Sequence, residues 1–301
     1  MSEHYPRIRL YAGKGEGRFL YIRESVRITF YVTLPHQKLM SEIIRSLDVY
    51  QRTIGLKTLG WYAHPYTGDW EELDDKGWAF IKQEMREEPC PSLWLRELPS
   101  TSRYEFIYKG RLLEADSPNE TSVVSFLLPT EYLEEHGPDH VREVALKLAA
   151  QLPFNSGHAG LAFTYPESVL GTTDAIHDRS FRYPGLDIAE VRSDSSSLGL
   201  RVKGVHWLNF LGQPVLGELG GVSGLRARLH SPDTTVQEFA DGKAVVTLGT
   251  WPDAGDLEQG RTLPAYRELA RVLEPWLFLD PGNWSGFSDE DVLRWHRRFL
   301  D

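Results

Sequence analysis

From Val26 to Leu34 the chain alternates: Val26, Ile28, Phe30, Val32 and Leu34 are apolar, while Arg27, Thr29, Tyr31 and Thr33 stand between them. A period of two predicts a strand with one face on a core. Pro35 stops that strand and suits the first turn of a helix, because its φ is already fixed near the helical value. Leu39, Ile43, Leu47, Tyr50 and Ile54 then repeat at helical spacing, and Gly55 is a fitting stop. Leu56 to Ala63 reads as a second strand. The run from 64 to 76 reads as a loop, after which Trp78, Ile81 and Met85 predict a short helix. Pro89, Pro91 and Pro99 interrupt the next stretch, before strands over Tyr104 to Lys109 and Ser122 to Leu128.

The pattern then repeats. Leu128-Pro129 ends a strand as Leu34-Pro35 does, and Val141, Val144, Ala145, Leu148 and Leu152 predict a second amphipathic helix. A turn-rich stretch from Pro153 leads into a strand on which Leu161, Phe163 and Tyr165 alternate, its glycines allowing tight turning or close backbone packing. Residues 166 to 200 read as mostly irregular surface loop, Val202 to Phe210 as strand, and Thr235 to Phe239 with Ala244 to Thr250 as a hairpin around Asp241-Gly242. Tyr266, Leu269, Ala270 and Leu273 give a further helix. Ser288, followed by Asp289, Glu290 and Asp291, signals a last one over 288–300, with cap and dipole preferences both met. The fold class expected is α+β: repeated β-α-β-like units with helices packed on a mixed or antiparallel sheet. The 301 residues are expected to form a single domain, divisible into two pseudo-repeated halves of about 20–120 and 121–275.

Composition narrows the function. A formal charge of −10 argues against a nucleic-acid binder, which needs a basic face for phosphate, and suits a basic protein partner. Cys90 is the only cysteine, so an intrachain disulfide is impossible. No segment has the apolar core of a secretion signal or the length of a membrane span, which makes the cytoplasm the expected compartment. Nine Trp, thirteen Tyr and thirteen Phe place aromatic rings at the surface as well as in the core, and leave room for a homodimer.

The chain carries no chemical motif of high specificity. Gly13-Lys14-Gly15-Glu16-Gly17 fits neither nucleotide-binding glycine pattern and reads as a turn. His136 and His140 have zincin spacing, but Gly137-Pro138 breaks the helix between them. His158 and His177 have no ligand-like neighbours at short range in the sequence. Cys90 lies between two prolines with acids before it, no reactive thiolate environment, and there is no Gly-x-Ser-x-Gly elbow. No catalytic, cofactor-binding or metal-binding residue is therefore expected. What stands out is an acidic run around an aromatic: Asp69, Trp70, Glu71, Glu72, Asp74 and Asp75. It is either a solvated loop or a binding surface for a basic partner.

Three blocks carry a family resemblance: Leu152-Pro153-Phe154 with Ser156 to Ala162, Tyr183 to Asp187, and Lys203 to Gly212 leading to Glu218-Leu219-Gly220-Gly221. In order and rough spacing over Val123 to Leu273 they resemble bacterial type VI secretion immunity proteins linked to protection against VRR-Nuc-type nuclease effectors. The resemblance implies a non-enzymatic inhibitor that neutralises a toxin stoichiometrically, by occluding its active site or substrate cleft or by holding it inactive. The alternatives are a hydrolase whose site residues are scattered in the sequence, and a generic protein-binding module.

Overall fold

The computed structural model describes residues 3–99, 103–113, 117–166, 171–239, 242–279, 284 and 286–301. It opens with β1 (Arg9–Ala12), β2 (Phe19–Val32) and α1 (His36–Ile54). Next come β3 (Trp61–Ala63), β4 (Trp70–Glu72), α2 (Asp75–Glu87), β5 (Ser92–Arg96), β6 (Glu105–Lys109) and β7 (Ser122–Pro129). These lead to α3 (Thr130–Ala149), β8 (Ser156–Thr164), α4 (Thr172–Arg182) and α5 (Val191–Asp194). The remainder comprises β9 (Leu208–Leu211), α6 (Val215–Glu218), α7 (Gly221–Arg226), β10 (Thr234–Phe239), β11 (Lys243–Leu248), α8 (Pro264–Leu273) and α9 (Asp289–His296). The class is α+β, as expected.

The two prolines act alike. Pro35 and Pro129 cap α1 and α3 with nearly the same backbone, φ −67 and ψ 154 against φ −68 and ψ 154. At the far end of α1, Gly55 takes a φ of 101, which a side chain would resist. α3 starts eleven residues earlier than the apolar spacing predicts, at Thr130, because a first turn precedes the break at Gly137 (φ 79) and Pro138. The irregular stretch expected over 166–200 instead holds α4. Its apolar signal is weak, since only Thr172, Ile176 and Ser180 of that helix are buried. The predicted hairpin forms between β10 and β11, pairing Thr234 with Leu248 through Phe239 with Lys243; Asp241 of its expected turn lies outside the described residues.

The chain divides into two compact units. One comprises Arg27–Gly157 and Glu190–Leu200, the other Met1–Val26, His158–Ala189 and Arg201–Asp301, so both β2 and β8 pass from one unit to the other partway along their length. In the first unit the strands are ordered β2, β7, β6, β5, β3, β4, and β4 is the edge. The pairings from β7 to β4 are antiparallel. One sheet face carries Tyr62, Leu93, Leu95, Phe106, Tyr108 and Phe126, all buried. Against it pack the apolar stripe of α1, whose Tyr50 hydroxyl donates to Leu127 O, and α2, whose Gly77 admits the Tyr62 ring. In the second unit the order is β10, β11, β9, β8, β2, with β1 paired antiparallel to β2. Its core joins Leu211, Val246, Leu269, Leu273 and Phe299, from three elements and the chain's end.

Candidate functional site

The acidic run is not a loop. Gly68 N–H donates to His64 O and His64 N–H to Asp69 O, both at 2.8 Å, closing a hairpin that lays Trp70 to Glu72 down as β4 against β3. Asp74 is the N-cap of α2, and its Oδ1 accepts from Lys76 N and Gly77 N at 2.9 Å. Asp69, Glu71, Glu72, Asp74 and Asp75 are all exposed, and Trp70 is half-buried. Sequence proximity does not put these side chains on one surface. Alternation along β4 sends Glu71 to the helix-covered face, where it accepts from the Tyr62 hydroxyl. Burial, with help from Glu71, pushes the Tyr62 phenol up to about 12. Trp70 turns to the opposite face and meets Trp94 edge to face, centroids 5.4 Å apart.

Behind Trp70 is a charged cluster that the sequence pattern does not announce. The Arg96 guanidinium lies 4.9 Å from the Trp70 ring and 4.2 Å from that of Trp94, and Arg192 lies 4.6 Å from Trp94. Glu105, 2% exposed, fixes the group: it accepts from Arg96 Nε at 2.6 Å, Trp94 Nε1 at 2.8 Å and Arg27 at 3.0 Å. Burial alone would raise its pKa, but Arg96 and Arg27 outweigh that and hold the carboxyl at about 2. The one signal in the sequence is Arg27, a long cation on an otherwise core-type strand. Its partner is 78 residues away.

The second cluster gathers residues from the three sequence blocks. His158 on β8, Asp187 after α4, and His206 before β9 place ligand-type atoms within 4.8 Å of one another, all buried. Asp187 is held by backbone: its N–H donates to Leu161 O and its carbonyl accepts from Phe163 N, each at 2.9 Å. His206 Nε2 lies 3.3 Å from Asp187 Oδ2, and Arg298 reaches Asp187 Oδ1 at 3.4 Å. Burial raises the Asp187 carboxyl; His206, Arg298 and Lys203 together hold it well below its usual range. The same burial pulls Arg298 down to about 10, and burial together with Lys203 and Arg298 lowers His296 to about 3.

Three such residues could hold a metal, but the geometry opposes it. The His158 and His206 rings stack with centroids 3.8 Å apart and planes 12° from parallel. Lone pairs lie in the ring planes, so those of stacked rings do not converge on a common ion. Arg298 and Lys203 already supply positive charge in this buried space. A dication would add to charge that burial makes costly. The arrangement is that of an ion-pair cluster around one carboxylate. The His-carboxylate convergence that a hydrolase would require is present, yet it is buried; at 5, 3 and 3% exposure, His158, Asp187 and His206 face no open cleft. A groove of about 500 Å³ lies elsewhere, between α1 and α2, lined by Met40, Ile44, Leu47, Trp78, Ile81 and Met85 among others. His136 and His140 stand 5.1 Å apart, ring to ring, beside the break in α3, and Tyr132 bonds His140.

The family model for TsiV, "Type VI immunity for VRR-NUC", matches residues 42–299. The chain belongs to this family. The expected resemblance thus holds over most of the sequence, including residues 42–100, where only a general pattern is legible. An immunity role against a VRR-Nuc effector follows from TsiV membership. A solved Pseudomonas aeruginosa type VI secretion protein, PA0821, has the same fold: TM-score 0.77 at 20% identity, over 97% of this chain and 87% of that one. No curated protein matches the chain. Among the described residues no helix is long and apolar enough to cross a membrane.

Proposed function

We propose that this TsiV protein neutralises a VRR-Nuc effector by binding it one to one in the cytoplasm, with no catalytic step of its own, through the acidic β4–α2 segment. The carrying observation is the exposure of five carboxylates, Asp69, Glu71, Glu72, Asp74 and Asp75, around the half-buried Trp70. A nuclease must present a basic surface to phosphate, and a protein of charge −10 is drawn to such a surface and competes with nucleic acid for it. A direct nucleic-acid partner for this chain is disfavoured by the same charge.

The test uses a purified cognate VRR-Nuc effector. Mixing the two should give a one-to-one complex and stop DNA cleavage at equimolar ratio, without loss or modification of the effector. Changing Asp69 and Asp75 to Asn, Glu71 and Glu72 to Gln, and Asp74 to Asn should weaken binding about 10-fold or more while leaving the melting temperature nearly unchanged, because Asn keeps the cap of α2. Equal affinity of this variant and the parent would remove the segment from the interface. Effector that stays inactive after the inhibitor is removed would point to catalysis instead.

A further inference from the structure

On the sheet of the first unit α1 and α2 cover one side; across β3, β4 and β5 the other side carries an unusual set of residues, where α5 contributes Arg192 against Trp94. Cross-strand pairing places Glu72 opposite Trp61, Trp70 opposite Ala63, and Trp61 opposite Arg96. Trp61, Trp70, Trp94 and Arg96 therefore share a face with Glu72. On the helix-covered face the neighbours of these positions are almost wholly buried, Tyr62 at 4%, Leu93 at 2% and Leu95 at 0%. On this face Trp61, Ala63, Trp70, Ser92 and Trp94 are all half-buried. Three indoles in contact with solvent on one short stretch of sheet are costly unless something covers them.

These rings are also immobilised. Arg96 lies against both Trp70 and Trp94, Arg192 lies on Trp94, and the Trp94 N–H and Arg96 Nε both donate to Glu105, a carboxylate with no freedom of its own. Aromatic and arginine side chains already held in place lose little entropy on binding, the property that distinguishes the few residues that dominate an interface.

We infer that the open face of β3, β4 and β5, centred on Trp70 and flanked by Glu72, is the docking surface for a basic protein partner, whose cationic side chains lie against Trp70 and pair with Glu72. The inference rests on the effector-binding reading above and sharpens it, because it divides the acidic run by face. Charge complementarity selects the occupant: the face ends at the β4 edge among exposed carboxylates, none of which has a cation within ion-pair distance among the described residues. Glu71, turned to the helix side and bonded to Tyr62, is outside the surface. Glu105 is a positioning residue: it touches no partner and acts through Arg96 and Trp94.

The experiment measures the affinity of the same VRR-Nuc effector for this chain and three variants. Trp70→Ala should weaken binding about 30-fold or more, as loss of a central anchor does. Glu72→Gln should weaken it several-fold, and Glu71→Gln, one residue away but on the other face, should leave it within about 2-fold. Hydroxyl-radical footprinting of the unaltered complex gives an answer that no folding defect can disturb: Trp61, Trp70 and Trp94 should lose reactivity on binding. If the effector binds while these indoles stay reactive, or while Trp70→Ala and Glu72→Gln bind like the parent, the face is not the interface and the immunity reading stands. If the parent chain itself fails to bind, both readings fall together.

Discussion

At the scale of single residues, the molecule relies on two buried carboxylates, each shared among several cations. Glu105 has the shorter hydrogen bonds. Its three donors come from β2 and β5, so Glu105→Gln should destabilise the fold by about 3 kcal/mol, the cost of leaving buried guanidinium groups without their counter-charge. A urea midpoint equal to that of the parent would contradict this. The pH dependence draws on Glu105 and His296, with Asp187 adding to the loss at low pH and the buried His36 to the loss below 6.5. Glu105 has a folded pKa of about 2, below its ordinary 4.5, so its contribution is complete above pH 4.5 and lost as pH falls toward 2. His296 is held at about 3 against an ordinary 6.5, so the unfolded chain takes up a proton first and stability begins to fall as pH drops below 6.5. Melting temperature should therefore decline in two stages on acidification. His296→Phe should reduce the slope from pH 6.5 down to about 3 and leave the steeper fall toward pH 2 in place. A single acid transition that is the same in both proteins would show that His296 carries no such linkage.

Neither cluster is legible in the sequence, for the same physical reason. A charged residue in an apolar run reads as a solvated position unless its partner is known, and these partners lie far away: 78 residues separate Arg27 from Glu105, and 111 separate Asp187 from Arg298. His158 and His206 can be read only as isolated rings. By contrast, Asp69 to Asp75 stand out because the residues are contiguous, yet contiguity conceals that a strand sends neighbours to opposite faces. The sequence locates the carboxylates but not the surfaces they belong to.

At the scale of elements, local signals fare better. Pro35 and Gly55 delimit α1, and Ser288 forms the capping box of α9, its Oγ accepting from Asp291 N at 3.1 Å while Asp291 accepts from Ser288 N at 3.1 Å. Ser288→Ala should cost about 1 kcal/mol, read as a lower thermal midpoint. Most of the Pro153 to Tyr165 stretch is strand and not turn. β8 already begins at Ser156, and Gly157 is there for space: an added Cβ would lie 2.5 Å from the Phe30 ring and 2.8 Å from Thr29 O. Gly157→Ala should destabilise by about 1–3 kcal/mol through overpacking, whereas Gly137→Ala would meet no atom within 4 Å and would suffer only from its positive φ. A melting temperature of Gly157→Ala equal to the parent's would show that steric contact is not what Gly157 avoids. What cannot be read locally is α4, whose buried stripe is too thin to register as a period.

At the scale of the whole molecule, charge and family point the same way. A net charge of −10 should accelerate encounter with a basic effector, so the association rate should fall steeply as salt rises while dissociation changes less. A salt-independent association rate would leave the acidic segment with no steering role. The 20% identity to the Pseudomonas aeruginosa structure at a TM-score of 0.77 shows how far side chains can diverge on this scaffold.

The passage of β2 and β8 between the two units bears on how specificity could be exchanged between relatives. The unit that holds the proposed docking face is encoded by two separated stretches, Arg27–Gly157 and Glu190–Leu200. The second of these supplies Arg192, which lies against Trp94. A single recombination event cannot move that unit intact into a relative: a crossover near residue 157 delivers the indoles without the guanidinium that flanks one of them. Chimeras built to swap effector preference should therefore need both segments from the same donor. Point substitution around Trp70 is the shorter route by which such a protein could acquire a new opponent.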